Sequence, residues 1–138
     1  MAEARTLYDK AVANLFAARM LRVSQICDEE QLNIAGFHLQ QAVELALKYL
    51  LEAEGIEYPK THSIEQLIAL GRKHGANLPL TDYIDDHAEM FSQWEAKSRY
   101  ILGYAIEDRK IDRALEEVDT FLLAIARDAR EQGEQTCE

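Results

Sequence analysis

Glycine and proline are scarce in this chain, six and two among 138 residues, and so few turn formers exclude a protein of many short strands and tight turns. Cysteine is equally sparse. Cys27 and Cys137 stand far apart with no CxxC motif, so a disulfide framework is not indicated, a reducing cytoplasm is the simpler compartment, and neither thiol reads as a nucleophile. Long apolar runs are missing too: no stretch approaches the roughly 20 uninterrupted apolar residues that cross a bilayer. The opening Met1-Ala2-Glu3-Ala4-Arg5 lacks a basic region followed by an apolar core, as an export signal would have. The expectation is a soluble, cytoplasmic protein with no membrane partner.

Positive charge is also in short supply. Fifteen Lys and Arg stand against 25 Asp and Glu, a net charge of −10 near neutral pH, which repels a phosphate backbone unless basic residues gather on one face. Non-specific nucleic-acid binding is therefore disfavoured. A local Arg or Lys cluster at a dimer groove still suffices to hold a nucleotide or a short phosphodiester, and a partner can equally supply the positive charge.

What the chain does have is 48% hydrophobic residues, enough for one core, and a recurrence of Ala, Leu, Glu, Gln, Lys and Arg that is typical of helices. An all-α fold follows, with one domain over residues 1–130 and a polar, fraying tail over 131–138. Helical spacing of Leu7, Ala11, Leu15 and Ala18 predicts a first helix over residues 3–24. A second spans 29–54 and is apolar on most of its circumference, which requires enclosure on several sides, at the centre of a bundle and partly beneath a second subunit. Its one wet stripe is expected to be Gln40, Glu44, Lys48 and Glu52, with Glu44 preceding Lys48 in the favourable order for an ion pair. Gly55 and Pro59 end it. Ser63 and Gln66 have capping-box spacing for a short third helix ending near 71–75. Thr81-Asp82 opens a fourth, carrying Tyr83, Ile84, His87, Phe91 and Trp94, and Ile111 to Ile125 mark a fifth.

The run Gly36-Phe37-His38-Leu39-Gln40-Gln41-Ala42-Val43-Glu44-Leu45-Ala46-Leu47-Lys48-Tyr49-Leu50-Leu51 resembles the signature helix of HEPN domains, the higher eukaryote and prokaryote nucleotide-binding family. Pro59-Lys60-Thr61-His62-Ser63-Ile64 followed by Leu67 is similar to that family's loop and third-helix start, and Ser98-Arg99-Tyr100 to its Arg-Tyr element. The resemblance covers roughly residues 5 to 127. It implies an antiparallel, up-and-down bundle of four long helices plus one short one. It also implies a homodimer with a functional groove between subunits, often encoded beside a minimal nucleotidyltransferase.

Ribonuclease members of that family carry Arg, a polar residue, three to five further positions and then His. A guanidinium grips phosphate bidentately and keeps its charge, while an imidazole moves a proton near neutral pH. Here Arg99 is followed by Tyr100, and Tyr104 stands where the His would fall. A phenol of ordinary pKa about 10 is a poor base, so the loss should cost on the order of 10²–10⁴-fold in rate. The reading is a non-catalytic module that binds a nucleotide, RNA or a protein partner. A weak, metal-independent ribonuclease of toxin–antitoxin type and a purely structural interaction bundle are the alternatives.

The ligand-binding candidates are Arg99, Tyr100, Tyr104, His87, Lys48 and Glu44, each with a plainer role beside it. Arg99 can pair with Glu95 one turn earlier or with Glu44; Lys48 reads as a solvated ion pair; the tyrosines can simply pack. Among the histidines, His87 is a packing residue or faces the groove with Arg99, His62 belongs to a loop or cap, and His38 to a helix surface or dimer contact. No pair of histidines has metal-ligand spacing, and no cofactor is expected.

Overall fold

The computed structural model describes residues 5–25 and 27–136, the side chains only as far as residue 133, and every regular element among them is a helix. Six are present: α1 (Leu7–Val23), α2 (Glu29–Ala53), α3 (Ile64–Lys73), α4 (Asp82–Asp86), α5 (Ala88–Tyr100) and α6 (Asp108–Thr136). The start of α1 is fixed by a reciprocal cap, in which the Thr6 hydroxyl accepts from the Asp9 N–H and the Asp9 carboxylate accepts from the Thr6 N–H. Such a box satisfies two orphan donors at once. Asp28, Ser63 and Thr81 cap α2, α3 and α4 through their own oxygens, without the reciprocal bond. Gly55, with φ of +70°, ends α2 in the left-handed region that side chains with a Cβ avoid.

Helix α2 is the centre of the bundle and packs on α1, α5, α6 and α3. Its pairing with α1 is antiparallel, since the Tyr8 ring lies tilted 5.7 Å from that of Tyr49 and Asn14 bonds His38, and Phe37 faces Arg99 across α2 and α5. Ala35, Leu39, Val43, Leu47 and Leu51 from α2 meet Phe91, Trp94 and Phe121 in one continuous core. Each buried side chain of that size contributes on the order of 1.5–3 kcal/mol. At Gly36 the approach is closest, since a Cβ there would stand 2.4 Å from Ile106 Cδ1 and 3.4 Å from Trp94.

Of the stripe expected to stay wet, only Glu52 is exposed. Gln40 and Glu44 are buried and Lys48 is half-buried, because the loop between α2 and α3 and one edge of α5 lie over them. A polar stripe covered by a polar loop has the same period as a solvated one, so spacing alone cannot separate the two. The expected fourth helix is likewise two helices. At His87 the backbone leaves the helical region, with φ −111° and ψ 22°, although its N–H still donates to the Tyr83 carbonyl at 2.9 Å; the ring stacks on Tyr83 at 4.1 Å with Nδ1 2.8 Å from that carbonyl. At the C-terminus, α6 continues past Arg130 to Thr136, further than the fraying boundary read from the sequence. Residues 3 and 4 and Cys137 lie outside the described residues; Cys27 is a free thiol.

Candidate functional site

The middle turns of α2 and the last two turns of α5 run side by side, and the loop leaving α2 reaches both. That loop is pinned where it enters α3. The Gln40 amide donates to the His62 carbonyl at 3.0 Å, and the Ile64 N–H donates to the Ser92 hydroxyl of α5 at 2.8 Å. His62 is thereby placed over Glu44.

Glu44 is the hub of the arrangement. Its side chain is only 4% exposed, and both of its oxygens accept hydrogen bonds. Oε2 takes the Lys48 ammonium at 3.1 Å, and Oε1 takes the Gln40 amide at 3.0 Å and His62 Nδ1 at 2.8 Å. A buried carboxylate is tolerated when its charge is paired and its lone pairs are filled in this way. Lys48 also lies 5.5 Å above the Tyr58 ring. The Tyr58 phenol donates to Glu52 at 2.5 Å, and burial, with that carboxylate beside it, pushes its pKa up to about 12.

On the other side of His62, Nε2 faces Glu95 Oε1 at 4.0 Å. The same Glu95 oxygen receives the Arg99 guanidinium, whose Nε also donates to the Glu95 carbonyl at 2.9 Å. Above this pair the guanidinium carbon lies 4.6 Å from the Phe37 ring centre and 4.8 Å from that of Tyr100. Cation–π contact of this kind holds an arginine by its faces and leaves its edge to act as a donor. Tyr100 is 72% exposed and Leu102, at the following turn, 99% exposed.

Of the residues singled out from sequence, Arg99, Tyr100, Glu44 and Lys48 belong to this one face. Tyr104 has other work. Its carbonyl accepts from the Asn33 amide at 2.7 Å, and its phenol is raised by burial, with a hydrogen bond from Trp94 acting the opposite way. No hydrogen bond or ring contact among the described residues joins it to Arg99. His87 is at the far end of α5, twelve positions before Arg99, a rise of roughly 18 Å; it is exposed and stacked on Tyr83. Arg99 lines none of three hollows found elsewhere, two of them around Tyr49 and Ala53 and the third around Tyr58. Tyr100 and Leu102 leave the outer side of the face exposed in the single chain. Among the described residues no three His, Cys, Asp or Glu side chains are grouped to hold a metal ion, and no helix is long and apolar enough to cross a membrane.

A family model of the HEPN domain matches residues 4–129. The chain belongs to the HEPN domain family. Searches of curated proteins and of solved structures each return no match. Within this HEPN domain the polar face is thus assembled from the signature helix, the loop that follows it and the Arg-Tyr end of α5. Sequence reasoning missed three members of it: Phe37, Glu95 as a shared partner of two basic groups, and His62 as more than a loop residue. The signal for His62 was present, since Gln40, Glu44 and Lys48 formed a polar stripe on a helix otherwise too apolar to be wet.

Proposed function

We propose that this HEPN domain is a non-catalytic module that binds a nucleotide or an RNA segment as a homodimer, with Arg99 on phosphate and Tyr100 against a base. The observation that carries the reading is the Arg99 guanidinium, held on its faces by Phe37 and Tyr100 and on one edge by Glu95, with 39% of its side chain still exposed. A planar cation fixed in this manner loses little entropy on gripping a phosphate, and an exposed aromatic beside it offers a stacking surface to any base. Tyr104, at the position where the ribonuclease histidine would fall, carries a phenol that burial raises in pKa, a poor base for proton transfer.

A second subunit completes the reading. The single chain offers an open face, and Tyr100, Ile101 and Leu102 project from it as exposed apolar residues; a copy covering that tip would turn two open faces into one groove. A minimal nucleotidyltransferase is the proposed protein partner, and the net charge of −10 suits a partner with a basic contact surface.

The test is fluorescence anisotropy with a labelled RNA hexamer against the wild-type chain and Arg99→Ala, with gel analysis of the same RNA and light scattering for mass. Expected are binding that Arg99→Ala weakens about tenfold or more, intact RNA, and a dimer mass. RNA cleavage abolished by Arg99→Ala would overturn the non-catalytic reading in favour of the ribonuclease. No binding, and a melting temperature unmoved by a nucleotide panel, would leave a purely structural interaction bundle.

A further inference from the structure

Helix α1 is apolar on both of its sides. Ala11, Leu15 and Ala18 are buried against the bundle, yet Val12, Phe16, Met20 and Val23 are exposed, Phe16 at 59%. Those four are spaced by four, four and three positions, which on a helix of 3.6 residues per turn makes one outward stripe. Ala13 beside them is exposed too, and its small side chain lets another backbone come close. A helix at the edge of a domain ordinarily turns a polar face to water, and one that is apolar all round is enclosed. The outer face of α1 is that of a helix with a neighbour.

Charge narrows the choice of neighbour. The chain carries −10, so two copies repel in most orientations. Around α1 the charges are balanced: Arg19 and Arg22 are answered by Asp119 and Asp112 of α6, and Asp9 has Lys10 next to it. The face is also complementary to itself. Val12 and Phe16 are centred on position 14, and so are Asp9 and Arg19. Two α1 helices laid antiparallel in that register bring Val12 of each copy onto Phe16 of the other and Asp9 of each onto Arg19 of the other, as an isologous contact requires. Both charged groups have capacity for it. Asp9 uses Oδ2 for the cap of α1, and Arg19 meets Asp119 at 3.5 Å with 47% of its side chain exposed. Asn14, at the centre, turns to His38 of α2 and stays out of the seam.

We propose that the outer face of α1 is a contact between two copies of this chain, formed by antiparallel α1 helices about position 14 and separate from the tip at Tyr100 to Leu102. Its size sets its strength. Four large side chains, each about half exposed, offer on the order of 400 Å² of apolar surface per copy, against ~800 Å² per partner in a stable interface. The contact is therefore reversible and forms as concentration rises.

Sedimentation velocity and light scattering across about 1 μM to 1 mM compare the wild-type chain with Phe16→Glu, Arg19→Glu and Leu102→Glu. The wild-type mass is expected to rise with concentration to at least twice its dilute value. Phe16→Glu, which puts a carboxylate into the seam, should hold the dilute mass throughout. Arg19→Glu sets an acid against Asp9 and should move the rise to concentrations about threefold higher or more. Leu102→Glu should keep the rise, whatever it does to the smaller species. Should Phe16→Glu lower the melting temperature, Met20→Glu is the second variant. A wild-type mass independent of concentration, or a rise that survives both seam substitutions, overturns the contact, and a rise unaltered in Arg19→Glu overturns its register. A rise abolished by Leu102→Glu alone places the association at the tip instead. In flotation with phosphatidylcholine vesicles the wild-type chain should stay with the soluble fraction; flotation that Phe16→Glu abolishes would assign the stripe to a lipid surface and overturn the contact. None of these results touches the RNA-binding reading.

Discussion

Asn33 on α2 holds the backbone of Tyr104 and of Ile106 at once: its amide donates to the Tyr104 carbonyl at 2.7 Å, and its oxygen accepts from the Ile106 N–H at 3.2 Å. Asn33 is buried, so the segment between α5 and α6 is fastened to the central helix by a side chain that water does not reach. Replacing it with Ala strands both backbone groups. The expected loss is about 2–3 kcal/mol, or a melting temperature lower by roughly 10 °C for a domain of this size. An unchanged thermal melt would show that the clamp contributes nothing.

Glu44→Gln should be far more harmful than a conservative change suggests, because it leaves the Lys48 ammonium half-buried without its counter-charge. Breaking a buried pair from one side costs about 3–5 kcal/mol. Lys48→Met in the same chain removes the stranded charge and should recover a large part of that loss. Denaturant unfolding of the two single variants and the double variant measures the coupling, and strictly additive losses would contradict it.

His38 gives the fold an acid-sensitive point. It is tucked between α1 and α2 with Nδ1 2.8 Å from the Asn14 side-chain oxygen, and burial lowers its pKa from the usual imidazole value. A base whose pKa is depressed by folding contributes stability above the unfolded value of about 6.5, and that contribution is lost as pH falls through the lower folded value. The His38 ring signals in an NMR titration should therefore turn over below 6.5, and stability should fall on the acid side. A midpoint at or above 6.5 would exclude this.

Tyr100→Ala separates binding from folding. With the ring largely in solvent, the substitution should change stability by less than about 0.5 kcal/mol. It should weaken binding of an RNA hexamer by about tenfold, in keeping with the worth of stacking on one base. Retained affinity would move the base contact elsewhere.

Helix positions were legible in the sequence because their signals are local. Ser63 and Thr81 cap α3 and α4 as their spacing predicts, and Gly55 ends α2. The break at His87 was not legible, since no glycine or proline marks the residue whose φ of −111° divides one expected helix. The candidate face was half legible. Arg99, Tyr100, Glu44 and Lys48 each carried a pattern on their own helix, but the contact of His62 with Glu44 bridges 18 positions through a loop, and Glu95 gains its meaning only from what α5 packs against. Tyr104 was placed near Arg99 by counting along the chain. The left-handed turn at Gly103 ends that counting and sends Tyr104 inward.

Gly36 makes room for the link between α5 and α6 rather than for α5 itself. A methyl group at residue 36 would stand 2.4 Å from Ile106 Cδ1 but at an ordinary contact distance, 3.4 Å, from Trp94. Ile106 would be the first to lift, and with it the backbone that Asn33 fastens. The missing side chain of one buried residue thus lets the connection between two helices lie flush against the central one.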